Sequence, residues 1–152
     1  MAEFRSVGIV HVPNKMVVLR SGYKHEASTG FVRALKRMKD AGEVESSGGK
    51  TLCLTLVGED AVPDQRAMQR ATTNEDHRAR IEMALGTPKV GDLLGLLVDR
   101  QPKERMELAA MMGYKSIAST GFAKAAAILM KFGFIEKAAA GSLQITEKAF
   151  VR

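Results

Sequence analysis

The sequence predicts a mostly helical fold with small β-hairpins (α+β), laid down as two tandem copies of one unit. Three observations predict it. The stretch Gly22-Tyr23-Lys24-His25-Glu26-Ala27-Ser28-Thr29-Gly30-Phe31 returns 91 positions later as Gly113-Tyr114-Lys115-Ser116-Ile117-Ala118-Ser119-Thr120-Gly121-Phe122. In each copy, apolar residues then recur at helical spacing up to a glycine. Beyond that glycine the pattern changes to strand, turn, strand. The 91-residue offset also pairs Ala34 with Ala125, Gly42 with Gly133, Glu45 with Glu136, Leu52 with Leu143 and Thr55 with Thr146, and it needs no gap from Gly22 to Asp60. A register held that long marks an internal duplication.

The expected division is a first domain at 1–60, a helical linker at 61–87 and a second domain at 88–152. Units of roughly 60 residues are marginal alone, so each is expected to lean on its neighbour or on the linker.

The elements follow in chain order. Residues 6–12 are short and β-branched and read as a strand or an extended arm. Pro13-Asn14 opens a helix with Met16, Val17 and Leu19 at near-helical spacing, and Gly22 ends it. Ser28 or Thr29 caps the next helix. Phe31, Leu35 and Met38 share its apolar face, and Gly42 sits where a left-handed cap is usual. Val44 begins an extended segment, Ser46-Ser47-Gly48-Gly49 turns, and Thr51 to Thr55 returns as a strand. Pro63 to Thr72 reads as a short basic helix followed by linker. Thr73, with Asp76 three residues on, resembles a capping box for a helix over about 74–85, with His77, Ile81 and Leu85 on one side. Gly86-Thr87-Pro88 breaks it.

Val90, Leu93, Leu94, Leu97 and Val98 form the strongest amphipathic pattern, a helix over 88–99. Pro102 opens the next, which Gly113 stops. Ser119 or Thr120 caps a long helix to Lys131 or Phe132. Gly133 closes it. Phe134-Ile135-Glu136 begins a strand, Ser142 to Thr146 returns, and Glu147 to Val151 ends as a helical turn. The first copy lacks an equivalent of helix 88–99. Either the arm 6–12 stands in for it, or helix 74–85 packs there.

This order resembles the winged helix-turn-helix superfamily. The residues that carry the resemblance are Leu108-Ala109-Ala110-Met111-Met112-Gly113-Tyr114, then Ser119 to Lys131, Gly133-Phe134-Ile135-Glu136 and Leu143-Gln144-Ile145-Thr146, with their first-copy counterparts. The resemblance implies that the helix before each Gly is a recognition helix and each hairpin a wing. It also implies a non-enzymatic role in binding duplex DNA, in transcription regulation or chromosome organisation. Structured RNA is not separated from DNA by these features. The alternative is a protein-interaction scaffold subunit of a larger complex, since such folds also meet proteins.

Charge places the candidate contacts. The chain carries +6 overall, and residues 15–39 hold seven Lys or Arg against Glu26 alone, which is the whole surplus. Arg33, Lys36 and Arg37 fall at i, i+3, i+4 on the helix at 28–41, opposite Phe31, Leu35 and Met38. Lys39 flanks them and Lys24 lies upstream. Such a face can neutralise phosphates, and Arg can also read guanine edges. The first-turn amides at Ser28, Thr29 and Gly30 can hold a phosphate, and Lys50 near the wing tip can touch adjacent backbone. The competing reading is a solvated face.

In the second copy Lys36 becomes Ala127, Arg37 becomes Ile128 and Lys39 becomes Met130, while Arg33 becomes Lys124. With Ala123, Ala125 and Ala126, this helix is apolar nearly all round and is expected to be buried on every side. Ala123, Ala127, Ile128 and Met130 are its candidate protein-interaction residues, covered by the first copy, a second chain in a homodimer, or another protein. The shared Gly-Tyr-Lys and Ala-Ser-Thr-Gly-Phe read mainly as structural.

No catalytic constellation, metal site or cofactor motif is expected. His11, His25 and His77 lie apart, with no carboxylate or cysteine at ligand spacing. The lone Cys53 excludes a disulfide framework and fits a reducing intracellular compartment, either nucleus or nucleoid for a DNA-binding protein and cytoplasm otherwise. No apolar run approaches a membrane span.

Overall fold

The computed structural model describes residues 1–64, 69 and 71–151. The chain divides into two compact units, Met1–Gln69 and Arg70–Arg152. Both are α+β. Among the described residues, eight α-helices accompany two small antiparallel sheets. The short helix expected between Pro63 and Thr72 falls largely on residues 65–68 and 70, outside the described residues.

In the first unit the order is α1 (Ala2–Ser6), β1 (Val12–Pro13), α2 (Asn14–Arg20), α3 (Thr29–Asp40), β2 (Val44–Ser47), β3 (Thr51–Leu54) and α4 (Leu56–Asp60). β3 is the central strand, with β1 and β2 antiparallel on either side, Val12 facing Leu52 and Val44 facing Leu54. Phe4, Val7, Ile9, Val12, Val18, Phe31, Val44 and Leu52 make the core.

Several local expectations are corrected. Of the 6–12 arm only Val12 lies in a strand, β1, which Pro13 completes, and residues 2–6 coil into α1, which sends Phe4 into the core. α2 buries Val18 and leaves Leu19 65% exposed, because its seven residues present one narrow stripe to the sheet. Ser46 and Ser47 belong to β2, so the turn is confined to Gly48, Gly49 and Lys50.

α3 ends as its sequence requires. Gly42 takes φ of +71°, a left-handed conformation that costs a residue with a Cβ, and reverses the chain into β2. The Thr55 hydroxyl donates to the Gly42 carbonyl at 2.5 Å and accepts from the Gly58 amide at 3.1 Å. One side chain thus ties the end of α3 to the start of α4.

The second unit runs α5 (Asn74–Leu85), α6 (Pro88–Leu96), α7 (Arg105–Met111), α8 (Thr120–Lys131), β4 (Ile135–Lys137), β5 (Leu143–Ile145) and a closing 3-10 turn at Glu147–Ala149. α7 and α8 begin and end 91 residues after α2 and α3. The bridge from Lys103 to Leu143 repeats Val12 facing Leu52 at the same offset. Thr146 donates to the Gly133 carbonyl at 2.6 Å, as Thr55 does to Gly42. The duplicated sequence thus builds the same order of elements and the same tie twice, from Val12 onward.

α5 packs inside this unit, on α6, and turns His77, Ile81, Ala84 and Leu85 inward. His77 Nε2 lies 3.0 Å from the Lys148 carbonyl oxygen. Val90, Leu93, Leu94 and Leu97 of the 88–97 segment are fully buried. Each such side chain removed from water contributes about 2 kcal/mol. Pro102 does not open α7, because Lys103 is held in its bridge with Leu143 and the helix starts only at Arg105.

Half of the capping box expected for α5 forms: Thr73 Oγ1 accepts from the Asp76 amide at 3.1 Å, while the Asp76 carboxylate accepts from Arg80 at 3.0 Å. Thr73→Ala is expected to lower the stability of this unit by about 1 kcal/mol, measured by urea unfolding. An unchanged midpoint would mean that the cap contributes nothing.

Candidate nucleic-acid interface

α3 sets out the candidate face. Its inner side carries Phe31, which is buried, with Ala34, Leu35 and Met38 half-buried. Its outer side carries Arg33, Lys36 and Arg37, all exposed. Among the described residues, none forms a hydrogen bond or ion pair with these three. Three cations therefore stand in a row one helical turn long, with their donors unspent.

The flanking residues divide. Lys24 and Lys50 are exposed. Lys39 donates from Nζ to Ser46 Oγ at 2.6 Å, so it staples α3 to β2 and holds its charge near the hairpin. Arg20, part of the cationic stretch in sequence, pairs with Glu3 at 2.5 Å, and the charge available there is smaller than the count suggests.

The N-terminus of α3 departs from expectation. Ser28 occupies the cap position, but its hydroxyl makes no capping bond to the first turn. It sits instead against His25, 3.3 Å from the His25 amide and 3.4 Å from Nδ1. Thr29 is the exposed first residue of the helix. The first-turn amides are left without a side-chain acceptor, which suits an anion.

Packing accounts for Gly30, in keeping with the structural reading of the shared stretch. A Cβ there would strike the Tyr23 ring, and a Cβ at Gly121 would strike the Tyr114 hydroxyl. Tyr23 meets Phe31 edge-on, with ring centroids 5.7 Å apart. In both copies the tyrosine lies across the glycine seven residues on, which explains why the pair recurs on two different surfaces.

α8 is the counterpart of α3 with one cation, Lys124, where α3 has its row of three. Phe122, Ala125, Ala126 and Leu129 are buried. Ala123, Ile128 and Met130 are half-buried and Ala127 is exposed. Burial on every side is therefore not what the chain itself provides. An exposed alanine leaves little apolar area in water, so an uncovered outer side costs this helix little.

Cys53 lies buried on β3, and its Sγ–H donates to Glu45 Oε1 at 3.2 Å. Burial, and then the neighbouring Glu45 carboxylate, hold the thiol above the ordinary cysteine range. The thiolate is the reactive form. Alkylation by iodoacetamide at neutral pH is therefore expected to be slower than for a free cysteine, with its rate rising only at higher pH. Glu45→Gln should move that profile toward lower pH. A rate equal to that of free cysteine would contradict the assignment.

Among the described residues, no group of three or more His, Cys, Asp or Glu is placed to hold a metal ion, and no helix is long and apolar enough to cross a membrane. No family model, no curated protein and no solved structure matches the chain.

Proposed function

We propose that this chain is a non-enzymatic nucleic-acid-binding protein made of two tandem winged helices, with α3 as the recognition helix for duplex DNA. Its setting is transcription regulation or chromosome organisation. The observation that carries the reading is the exposed row of Arg33, Lys36 and Arg37 on the outer side of a helix whose inner side is packed. A row of this length matches successive phosphates along a groove edge, and Arg adds bidentate contact to a guanine. Lys24 and Lys50 extend the cationic surface to the loop before α3 and the tip of the β2–β3 hairpin. The uncapped first turn at Ser28, Thr29 and Gly30 offers its amides to one further phosphate.

Contacts from Lys24, Arg33, Lys36, Arg37 and Lys50 predict a steep salt dependence. Affinity for a duplex should fall about 10²- to 10³-fold between about 50 and about 200 mM salt. Fluorescence anisotropy with duplex DNA, single strands and RNA at both salts checks this. Affinity that ignores salt, or a preference for single strands or RNA, rejects the duplex reading.

A scaffold role in a protein complex is the second reading. It is favoured by the outer side of α8, where Lys124 alone keeps the charge of the α3 row and Ala123, Ala127, Ile128 and Met130 remain partly or fully accessible.

A further inference from the structure

The outer side of α3 carries more than its cations. In chain order it presents Thr29, Val32, Arg33, Lys36, Arg37 and Asp40, all exposed. Charge is uneven along it. The cations occupy the middle, and Asp40, the one acid of the helix, stands one turn beyond Lys36 and Arg37. Its carboxylate repels phosphate, and the helix dipole adds negative partial charge at the same end. The turns from Thr29 to Lys36 are therefore the part of α3 that a duplex can take in. In helix-turn-helix docking the N-terminal residues of the recognition helix are the ones that reach base edges.

Val32 falls in these turns. It is 51% exposed, and it is the large apolar side chain that α3 leaves outside the core. Phe31, Ala34, Leu35 and Met38 fill the inner side. Val32 lies one turn after Thr29, one turn before Lys36 and next to Arg33. Valine is also a weaker helix former than the Ala, Leu, Lys, Arg and Met around it, so neither packing nor propensity explains it. A β-branched side chain in a helix is held almost entirely in one rotamer. Two methyl groups thus stand at a fixed place among the cations, with little freedom to lose on contact. The counterpart in the second unit is Ala123, half-buried and without those methyls. Where α8 lacks the cationic row, it lacks the apolar knob as well.

The major groove offers such a knob one apolar partner. Thymine carries its 5-methyl group there, whereas guanine, adenine and cytosine offer hydrogen-bond donors and acceptors. A valine set against those polar groups would strip their water and return no hydrogen bond.

We propose that Val32 is a specificity-determining residue of the duplex interface, packing its methyl groups on the 5-methyl group of one thymine while Arg33, Lys36 and Arg37 hold the neighbouring phosphates and bases. The inference rests on the duplex reading above and narrows it. The ligand is duplex DNA with a thymine at one fixed position. RNA is refused there, because uracil lacks the methyl and the RNA major groove does not admit side chains.

The test uses the full chain. Binding selection from a random-sequence duplex pool supplies one preferred duplex. Each thymine in it is then replaced singly by deoxyuridine, which removes the methyl and keeps the base pair. At one position the replacement should weaken binding about fourfold. Val32→Ala should weaken binding to the thymine duplex about as much, and should bind the deoxyuridine duplex as well as the wild type does. The two losses overlap because they remove the same contact. Val32→Ile keeps the branch and should retain the sensitivity to deoxyuridine. Both variants should keep the wild-type thermal midpoint, since the residue lies outside the core. Losses that multiply, with Val32→Ala as sensitive to deoxyuridine as the wild type, would overturn the assignment and leave duplex binding standing. So would a preferred duplex in which no deoxyuridine matters, or a pool from which no sequence is preferred. Absence of salt-dependent duplex binding would remove the duplex reading, and this inference with it.

Discussion

Changing Arg33, Lys36 and Arg37 together to Glu is expected to lower duplex affinity by about a hundredfold or more at low salt, and to flatten the slope of log affinity against log salt by about three. Each replacement removes one released counterion and adds repulsion toward the same phosphate. The residues point outward from α3 and have no described partners, so the loss should come without unfolding. An unchanged thermal midpoint by circular dichroism provides that control. Changing Ile128 and Met130 to Asp tests the other half of the division. Those positions lie on α8, whose outer side lacks the cationic row, and duplex affinity should stay within about twofold at one salt. If the first set leaves affinity untouched, α3 is not the recognition helix. If the second set matters equally, the two copies share the work.

Phe122→Ala is expected to destabilise the second unit by about 5 kcal/mol, while Phe31→Ala costs the first unit about 3 kcal/mol. The residues are counterparts at the 91-residue offset, and the difference lies in what surrounds them. Phe122 is fully buried among neighbours that are themselves covered by helix. Phe31 is 5% exposed and, with Tyr23, Leu35 and Met38, lines a groove of about 360 Å³ in the first unit, so its packing is less complete and the deletion leaves less of a closed void. The cost of truncation follows the cavity that cannot collapse. Chemical denaturation monitored separately in each unit by amide exchange measures both values. Equal losses would show that the groove does not loosen its surroundings.

The sequence by itself determined the duplication, the α+β class and most element boundaries. It did so through local rules: Gly42 and Gly133 end their helices because a left-handed turn needs no Cβ, Thr73 caps α5 because its hydroxyl meets an orphan amide, and the apolar spacing of α6 selects its inner face. The cationic row was legible for the same reason, since residues at i, i+3 and i+4 share one side of a helix. Only the tertiary structure decided what lies opposite each face. It chose Val18 over Leu19, coiled residues 2–6 into α1, laid Tyr23 across Gly30, and joined α5 to the second unit. It also left Glu43 and Met38 half-buried where Phe134 and Leu129 are sealed. The physical reason is that periodicity fixes which side chains point together, whereas burial depends on segments distant in sequence that come to cover them. Two copies with one local pattern differ here because, among the described residues, only the second is covered by the pair α5 and α6.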